Sequence, residues 1–296
     1  MDLPSLEIFL QVARSGSITR AAEQLARAQS NVTTRIQQLE ESLGVPLFVR
    51  EARRMVPTPQ GLLLKGYATR LLALAEEARQ AMQPGLPQGR LRLGSMESTA
   101  AARLPQPLAR FHRAWPRVQL QLSTAPSRQL VEQVLSFELD AALVAWPAPG
   151  IDADTPLACT PLYEEALCVI APQGLDLAAR PLAVDTLAAF SEGCTYRRLG
   201  EAWMREMHGG ASGGGRWSVL ELASYHAIVA CVAAGSCAAV APRSILQLMR
   251  DAPPVQTVPL PACTTMLVRR AEYQLPALDA LLSCLLSTGE TDVSSA

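Results

Sequence analysis

The 296-residue sequence has few of the residues that catalytic and metal sites require. It contains three histidines, and none has the spacing of a Ser-His-Asp triad or of a metal-ligand set. A glycine-rich phosphate-binding motif is also missing. We therefore expect no enzymatic activity, no catalytic residue, no metal site and no cofactor.

Long apolar segments are missing as well. No run approaches the ~20 residues that span a bilayer, and the start, MDLPSLEIF, lacks the basic region of a signal peptide. We expect a soluble, cytoplasmic protein with no membrane partner. In that reducing compartment, most of the seven scattered cysteines should be buried small hydrophobes. Cys159 and Cys168, nine residues apart, leave a redox switch open as an alternative.

Positive charge is scarce, and it is unevenly distributed. The net charge is -1, but residues 1–90 hold 11 arginines and lysines against 8 acidic residues. This excess is too small for strong attraction to nucleic acid phosphates by a single subunit. A nucleic-acid binder of this composition has to double its contacts through oligomerisation.

Residues 17–61 contain two short amphipathic helices, a tight break and an arginine-bearing hairpin. In the first helix, Ser17 is placed as the N-cap, and an apolar face is formed by Ile18, Ala21, Ala22 and Leu25. This layout predicts a winged helix-turn-helix, whose second helix enters the major groove of DNA.

The second helix has one apolar stripe and one polar face. The predicted buried stripe is Val32, Ile36, Leu39 and Leu43. The opposite face carries side chains that suit base edges and phosphates, namely Gln29, Ser30, Asn31, Thr33, Thr34, Arg35 and Gln38. On the wing, Arg53 and Arg54 are predicted to touch phosphate or the minor groove.

The stretch that follows the second helix carries a family resemblance. The run LEESLGVPLFVR, then Arg53, Arg54 and PTPQG (57–61), closely resembles the amino-terminal signature of LysR-type transcriptional regulators. The resemblance covers the whole chain, and it is sharp over residues 1–66 and looser after residue 90. Ala28 departs from the usual Ser. The recognition helix then either lacks a cap worth about 1 kcal/mol, or starts later with Ser30 as its cap, which would remove Gln29 from the polar face.

The domain organisation predicted for the amino-terminal part is a DNA-binding domain (1–58), a linker helix (59–83) and a hinge (84–90). The linker helix repeats small and apolar residues as a heptad seam, Leu64, Ala68, Leu71, Ala75, Ala78 and Met82. The seam either packs on the first helix of its own domain or pairs with a second subunit. The resemblance implies the second, so we expect a homodimer and, from pairs of dimers, a homotetramer.

From residue 91 strands alternate with helices, which predicts a parallel sheet with crossover helices. Strands are predicted at 91–95, 118–123 and 139–146 and helices at 100–113 and 127–137, and near residue 161 a second such unit begins. It includes LCVIAP, the strand CTYRR, the helix ELASYHAIVACVAAG, SCAAVAP and QTVPL, before TTMLVRR and a closing helix. This resembles the two-lobed, periplasmic-binding-protein-like effector domain of LysR-type proteins. It implies residues 91–289, with lobe I at 91–161 and 266–289 and lobe II at 162–265.

An effector site is expected at the carboxyl ends of the strands, between the lobes. The positions that meet this description are Glu97, Ser98, Thr99, Ser127, Trp146, Cys194, Thr195 and Tyr196 on a crossing strand, and Ser224. The resemblance points to Ser98, Thr99, Ser127 and Thr195 in particular. Helix capping alone is the alternative for each hydroxyl. The hydroxyls favour a carboxylate and Glu97 an amine, which together indicate a zwitterionic or amino-bearing metabolite.

Together these features predict a bacterial LysR-type regulator that binds double-stranded DNA under control of a small-molecule effector. RNA polymerase is an expected partner if the protein activates transcription. A redox-sensing regulator of the same family remains an alternative. A solute-binding protein is a weaker one, because it explains neither the recognition helix nor the missing export signal.

Overall fold

The computed structural model describes residues 1–52, 54–82, 86–149, 151, 152, 154–179, 182–209, 216–251 and 253–287. Two compact units are present: Met1–Pro84 with Ser136–Glu138, and Gly85–Leu135 with Leu139–Ala296. No helix in these ranges is both long and apolar enough to cross a bilayer. The predicted wing residue Arg53 and the first two residues of the predicted hinge lie outside the described residues.

The first unit is helical apart from a two-stranded hairpin. Its elements are α1 (Leu3–Ser15), α2 (Ile18–Gln24), α3 (Gln29–Leu43), β1 (Phe48–Glu51), β2 (Arg54–Pro57) and α4 (Pro59–Ala81). The strands β1 and β2 are antiparallel. These elements confirm the winged helix-turn-helix that the spacing of residues 17–61 predicts.

Side-chain caps fix where three of the four helices begin. The backbone N–H groups of Ser5, Arg20 and Gly61 donate to the side chains of Asp2, Ser17 and Thr58, at 2.8, 3.4 and 3.0 Å. The exception is α3, whose N-cap is Ala28 and has no side-chain cap. The helix still begins at Gln29, so the prediction of a later start at Ser30 is wrong, and Gln29 stays on the helix.

One apolar core holds α1, α2 and α3 together. From α3 it takes Val32, Ile36 and Leu39, each at most 3% exposed, and they pack with Phe9, Ala21 and their neighbours. The prediction that Leu43 completes this stripe is wrong, because its side chain is 38% exposed. Leu43 is the last residue of α3, beyond the turns that contact the core.

Part of the predicted seam of α4 packs in the core of the first unit, and part is exposed. Ala68 is fully buried, and Leu64 and Leu72 pack beside it against the core of their own unit. Leu64 and Ala68 are therefore not available for a second subunit, because they cover α1. The large apolar side chains of α4 that are exposed, each by at least 40%, are Leu71 of the seam and four residues outside it: Leu62, Leu63, Tyr67 and Leu74.

The second unit is an α/β structure built on one sheet. Its elements are β3 (Gly89–Ser95), α5 (Glu97–Ala102), α6 (Pro105–Ala114), β4 (Val118–Thr124), α7 (Ser127–Leu135), β5 (Ala141–Trp146), β6 (Leu157–Pro172), β7 (Thr186–Ala189), α8 (Thr195–Met207), β8 (Ser218–Glu221), α9 (Tyr225–Ala233), β9 (Ala238–Pro242), α10 (Arg243–Leu248), β10 (Val255–Arg270) and α11 (Pro276–Leu286). The eight strands lie in the order β4-β3-β5-β10-β6-β9-β7-β8.

Two antiparallel strands of 16 residues, β6 and β10, form the centre of this sheet. On one side β4, β3 and β5 are parallel to each other, and on the other side β9, β7 and β8 are parallel. The pairing of β6 with β10 changes register between Leu260 and Cys263 and between Thr265 and Met266. The two long strands therefore run through both halves of the unit and connect them.

Three predicted elements of this unit are wrong in detail. The strands QTVPL and TTMLVRR are one continuous strand, β10. The predicted helix 100–113 is two helices, because Pro105 opens α6 as a new first turn. Cys194, Thr195 and Tyr196 do not lie on a strand but at the start of α8, whose buried Tyr196, Gly200, Met204 and Met207 have helical spacing.

Two glycines of α4 offer a matched test of the packing in the first unit. A Cβ on Gly61 would lie 2.2 Å from the backbone oxygen of Leu47, whereas a Cβ on Gly66 would meet nothing within 4 Å. We expect Gly61→Ala to destabilise this unit by about 3 kcal/mol. Gly66→Ala should stabilise it by about 0.5–1 kcal/mol, because alanine favours helix.

Hydrogen exchange on the intact chain measures both effects in peptides from residues 1–82. Gly61→Ala should lose protection there, and Gly66→Ala should not. Both variants should leave peptides from residues 89–287 unchanged. Equal protection of the first unit in the two variants would show that the close contact between α4 and Leu47 is not required.

Candidate functional site

The polar side of α3 is the largest set of predicted site residues that the structure places together. Gln29, Ser30, Asn31, Thr34 and Gln38 are exposed, and Thr33 and Arg35 are half-buried. The Thr33 hydroxyl donates to the Gln29 carbonyl oxygen at 3.0 Å, so its proton is already used within the helix. The exposed face therefore offers amides, hydroxyls and one guanidinium, which we call the recognition face.

Arg35 has one neighbour of opposite charge. Its Nη1 lies 3.5 Å from Oδ2 of Asp2, and both side chains are substantially exposed. An exposed ion pair of this kind contributes little to stability because water screens it. Arg35 can therefore exchange this partner for a phosphate or a base edge at small cost.

The position of the wing relative to α3 is fixed by Glu40, which the sequence analysis did not single out. Its Oε1 accepts hydrogen bonds from the backbone N–H groups of Leu47 and Phe48, at 2.7 and 3.2 Å. The wing is also attached to α1, because Met55 N–H donates to the Gly16 carbonyl oxygen at 2.9 Å. Arg54 and Arg50 are both exposed on the hairpin, and Arg50 is a basic wing residue that the sequence analysis omitted.

A cavity of about 410 Å³ lies in the second unit, beyond the carboxyl ends of β3, β4, β7 and β8. Because β3 and β4 are parallel, as are β7 and β8, loops from both halves of the sheet meet there. Five of the predicted effector residues line it: Glu97, Ser98, Ser127, Cys194 and Tyr196.

The other four predicted effector residues are not among those that line the cavity. Thr99 is 1% exposed and Trp146 packs against the apolar core. The Thr195 hydroxyl donates to the Ala145 carbonyl oxygen at 3.1 Å, so it fastens α8 to β5. Ser224 caps α9 by accepting from His226 N–H at 3.2 Å. For Thr195 and Ser224, the contacts seen are the structural ones.

Of the ten lining residues that were not predicted, five are polar or aromatic: Thr124, Phe190, Ser191, Glu221 and Tyr225. Phe190 and Ser191 follow β7, and Glu221 ends β8. Both strands have only four residues, which is too short for a clear alternating pattern. Had these strands been predicted, the rule that ligands bind at carboxyl ends would have selected the same positions.

Burial changes the acid–base behaviour of the cavity side chains. It raises the pKa of the Glu97 carboxyl, an effect that the nearby His226 imidazole partly opposes. It also raises the pKa of Tyr196 and Tyr225 well above the usual value. Both tyrosines therefore keep their protons at neutral pH and can donate hydrogen bonds.

A buried ion pair holds the helix that carries Glu97 and Ser98. Arg103, at the end of α5, donates through Nε to Oε1 of Glu165 at 2.7 Å, and Glu165 on β6 is 3% exposed. The other oxygen of Glu165 accepts from the Ser244 hydroxyl at 2.9 Å. These contacts attach α5 to β6 and α10, so the cavity wall has a fixed position.

The cysteines differ in exposure: Cys168, Cys237 and Cys263 are buried, and Cys159 is exposed. Burial raises the pKa of Cys159, Cys168, Cys194, Cys237 and Cys263. The thiolate is the reactive form, so a raised pKa lowers the fraction of these thiols that is reactive at neutral pH. Within the described residues, no group of three or more His, Cys, Asp or Glu side chains is arranged to hold a metal ion.

Family models match both units of the chain. Residues 3–62 match the bacterial regulatory helix-turn-helix protein of the lysR family, and residues 84–290 match the LysR substrate binding domain. A regulator from Bacillus subtilis strain 168, YusT, is 34% identical over 100% of this chain and 99% of its own length. GltR, an HTH-type transcriptional regulator from the same strain, is 35% identical over 96% of this chain and 95% of its own.

Solved structures show the same fold at lower identity. Full-length OxyR from Pseudomonas aeruginosa, as a point variant, has a TM-score of 0.69 at 22% identity and covers 96% of this chain and 94% of its own. Full-length CbnR in complex with its target DNA has a TM-score of 0.64 at 19% identity, over 96% and 99%. With the matches to both family models, these findings establish that the chain belongs to the LysR family of DNA-binding transcriptional regulators, which carry an amino-terminal helix-turn-helix and a carboxy-terminal effector-binding domain.

Proposed function

We propose that the recognition face of α3 binds base edges in the major groove of an operator. The observation that supports this is the division of α3 into two sides. One side is buried in the core of the first unit, and the other exposes amides and hydroxyls within reach of a flat surface. On the hairpin, Arg53 and Arg54 contact phosphate or the minor groove, and Arg50 is a further phosphate contact.

The domain boundaries belong to the same proposal. We assign DNA binding to residues 1–58, the linker helix to 59–83, the hinge to 84–90 and the effector domain to 91–289. Within the effector domain, lobe I comprises 91–161 and 266–289, and lobe II comprises 162–265. The register change between Thr265 and Met266 in the pairing of β6 with β10 supports this division, because an irregular ladder is a place where two halves can rotate.

A second copy of the chain is the partner that we propose for α4. The helix has 23 residues, about 35 Å at 1.5 Å per residue, and its exposed apolar side chains follow helical spacing. Leu63, Tyr67 and Leu74 are each more than half exposed. Paired helices bury this stripe and bring two recognition faces to one DNA site, which compensates for the small positive charge of each subunit. Pairs of dimers then form the homotetramer.

The cavity is the site where the effector binds and regulates the protein. A metabolite bound between the lobes changes their relative position only to the extent that it binds one arrangement more tightly than the other. The raised pKa values of the buried thiols favour a metabolite over an oxidant as the signal. The protein acts on chromosomal DNA in the bacterial cytoplasm without catalysing a reaction, and it contacts RNA polymerase if it activates transcription.

Arg35→Ala tests the recognition face. The substitution should weaken operator binding by about 1–3 kcal/mol, with relaxed preference at one base pair if Arg35 contacts a base. Arg113→Ala is the matched control. It removes the same charge from an exposed residue of α6, whose side chain bonds only to the Ala109 carbonyl oxygen, and it should bind DNA as the unmodified protein does. Fluorescence anisotropy with a labelled operator duplex measures both. Equal affinities would remove Arg35 from the interface.

Leu74→Arg tests the dimer. Leu74 is 56% exposed on α4, and Leu248 on α10 is 54% exposed, so Leu248→Arg is a control of matched exposure. A charge in the centre of an apolar helix pair should increase the dissociation constant of the dimer by at least about tenfold, since burying an unpaired guanidinium costs several kcal/mol. Sedimentation velocity reports the oligomeric state. A Leu74→Arg protein as large as the Leu248→Arg protein would rule out α4 as the interface.

A further inference from the structure

We propose that the effector of this protein is an organic cation, a small amine whose ammonium group pairs with Glu97 in the cavity. The inference rests on the proposed function of the cavity and specifies its ligand. Of the two alternatives that the sequence predicts, a zwitterionic or an amino-bearing metabolite, it selects an amine that carries no carboxylate. Three observations carry it: the charges of the lining, the unpaired oxygen of Glu97 and an aromatic corner beside it.

The charged side chains that line the cavity are acidic. Glu97 and Glu221 contribute two carboxylates, and none of the described lining residues is an arginine or a lysine. The two arginines next to lining residues in the sequence differ: Arg128 is in an exposed ion pair, and Arg197 is largely buried between two carboxylates. Arg128 lies 3.1 Å from Glu132, and Arg197 lies 2.8 Å from Glu201 and 2.9 Å from Glu221. The lining therefore offers a ligand carboxylate no basic side chain to pair with.

The two carboxylates differ in their partners. Glu221 shares Arg197 with Glu201, whereas Oε2 of Glu97 is buried and has no hydrogen-bond partner in the described chain. The exposed imidazole of His226 acts on Glu97 without forming a hydrogen bond or an ion pair to it. A half-buried acid left without a partner destabilises the protein. An ammonium ligand would supply the missing donors and the missing charge.

The aromatic corner of the cavity suits the rest of such a ligand. The rings of Phe190 and Tyr225 lie with centroids 5.0 Å apart and planes tilted by 60°, and both residues line the cavity. Ring faces attract ammonium groups and pack against alkyl chains. The Tyr196 hydroxyl is buried close to the Ser98 side chain, and both residues line the cavity. A volume of about 410 Å³ is in the range of small-metabolite sites.

Matched probes separate the ligand classes. Phenethylamine and hydrocinnamate share an aromatic body and a two-carbon chain and end in an ammonium and a carboxylate. Butylamine, butyrate and 4-aminobutyrate extend the comparison to an aliphatic body and to a zwitterion. Titration calorimetry on the full-length protein should detect both amines, with the zwitterion weaker than butylamine and the two carboxylates not bound.

Two isosteric variants test which carboxylate pairs with the ammonium group of the ligand. Glu97→Gln should weaken amine binding roughly 10- to 100-fold, the usual effect of losing a charged hydrogen bond. Glu221→Gln makes the same change in the same cavity, and it should change amine affinity less than about threefold, because that carboxylate is already paired. Without ligand, Glu97→Gln should also raise the Tm by about 1–3 °C, since it removes an unpartnered charge.

The proposal is overturned if neither amine binds, if hydrocinnamate binds more tightly than phenethylamine, or if Glu97→Gln and Glu221→Gln affect amine binding equally. Operator binding by the unmodified protein, measured by anisotropy without ligand, should be detected whether or not an amine binds. This measurement depends on DNA recognition alone. It therefore distinguishes a failure of the ligand assignment from a failure of the proposed function.

Discussion

The amphipathic character of α3 is the constraint on which the account of this protein depends. Val32, Ile36 and Leu39 have to be buried against α1 and α2, and burial of three large aliphatic side chains is worth several kcal/mol. The opposite side of a helix packed in this way must face outward. Glu40, also on α3, positions the wing, because its carboxylate accepts hydrogen bonds from the backbone N–H groups of Leu47 and Phe48 at the start of the hairpin. The position of the helix is thus set by apolar packing, and that of the wing by the Glu40 carboxylate together with the hydrogen bond from Met55 to Gly16.

The effector-binding unit places a different requirement on the chain. Its two halves share the long strands β6 and β10, so a ligand in the cavity contacts loops from both halves at once. The lining is largely pre-formed, because a buried ion pair fixes α5 and the Thr195 hydroxyl fixes α8. A small ligand then acts on a structure with few alternative arrangements. In such a structure a modest difference in affinity between arrangements can shift their populations.

Local sequence patterns predicted the first unit well, because its elements are short and each carries its own boundary. Ser17, Thr58 and Gly44 mark helix ends through caps and a left-handed residue. The errors arose where the outcome depends on distant residues. Leu64 and Ala68 fit a heptad seam but cover α1, a choice that only the tertiary packing decides. In the second unit CTYRR has β-forming residues, and its helix follows from burial of one side against the sheet. The cavity residues that follow β7 and end β8 could not be predicted. Strands of only four residues show too little alternation of polar and apolar residues to be recognised in a sequence.

Selection of bound duplexes from a randomised DNA pool by the purified full-length protein tests the central claim most directly. If the exposed side of α3 reads base edges in a symmetric dimer, the selected sequences should converge on two inverted half-sites about one helical turn, or a multiple of it, apart. Their affinity should fall steeply as salt rises, since phosphate contacts release counterions. A pool that remains random after repeated selection at low and at moderate salt would contradict the account.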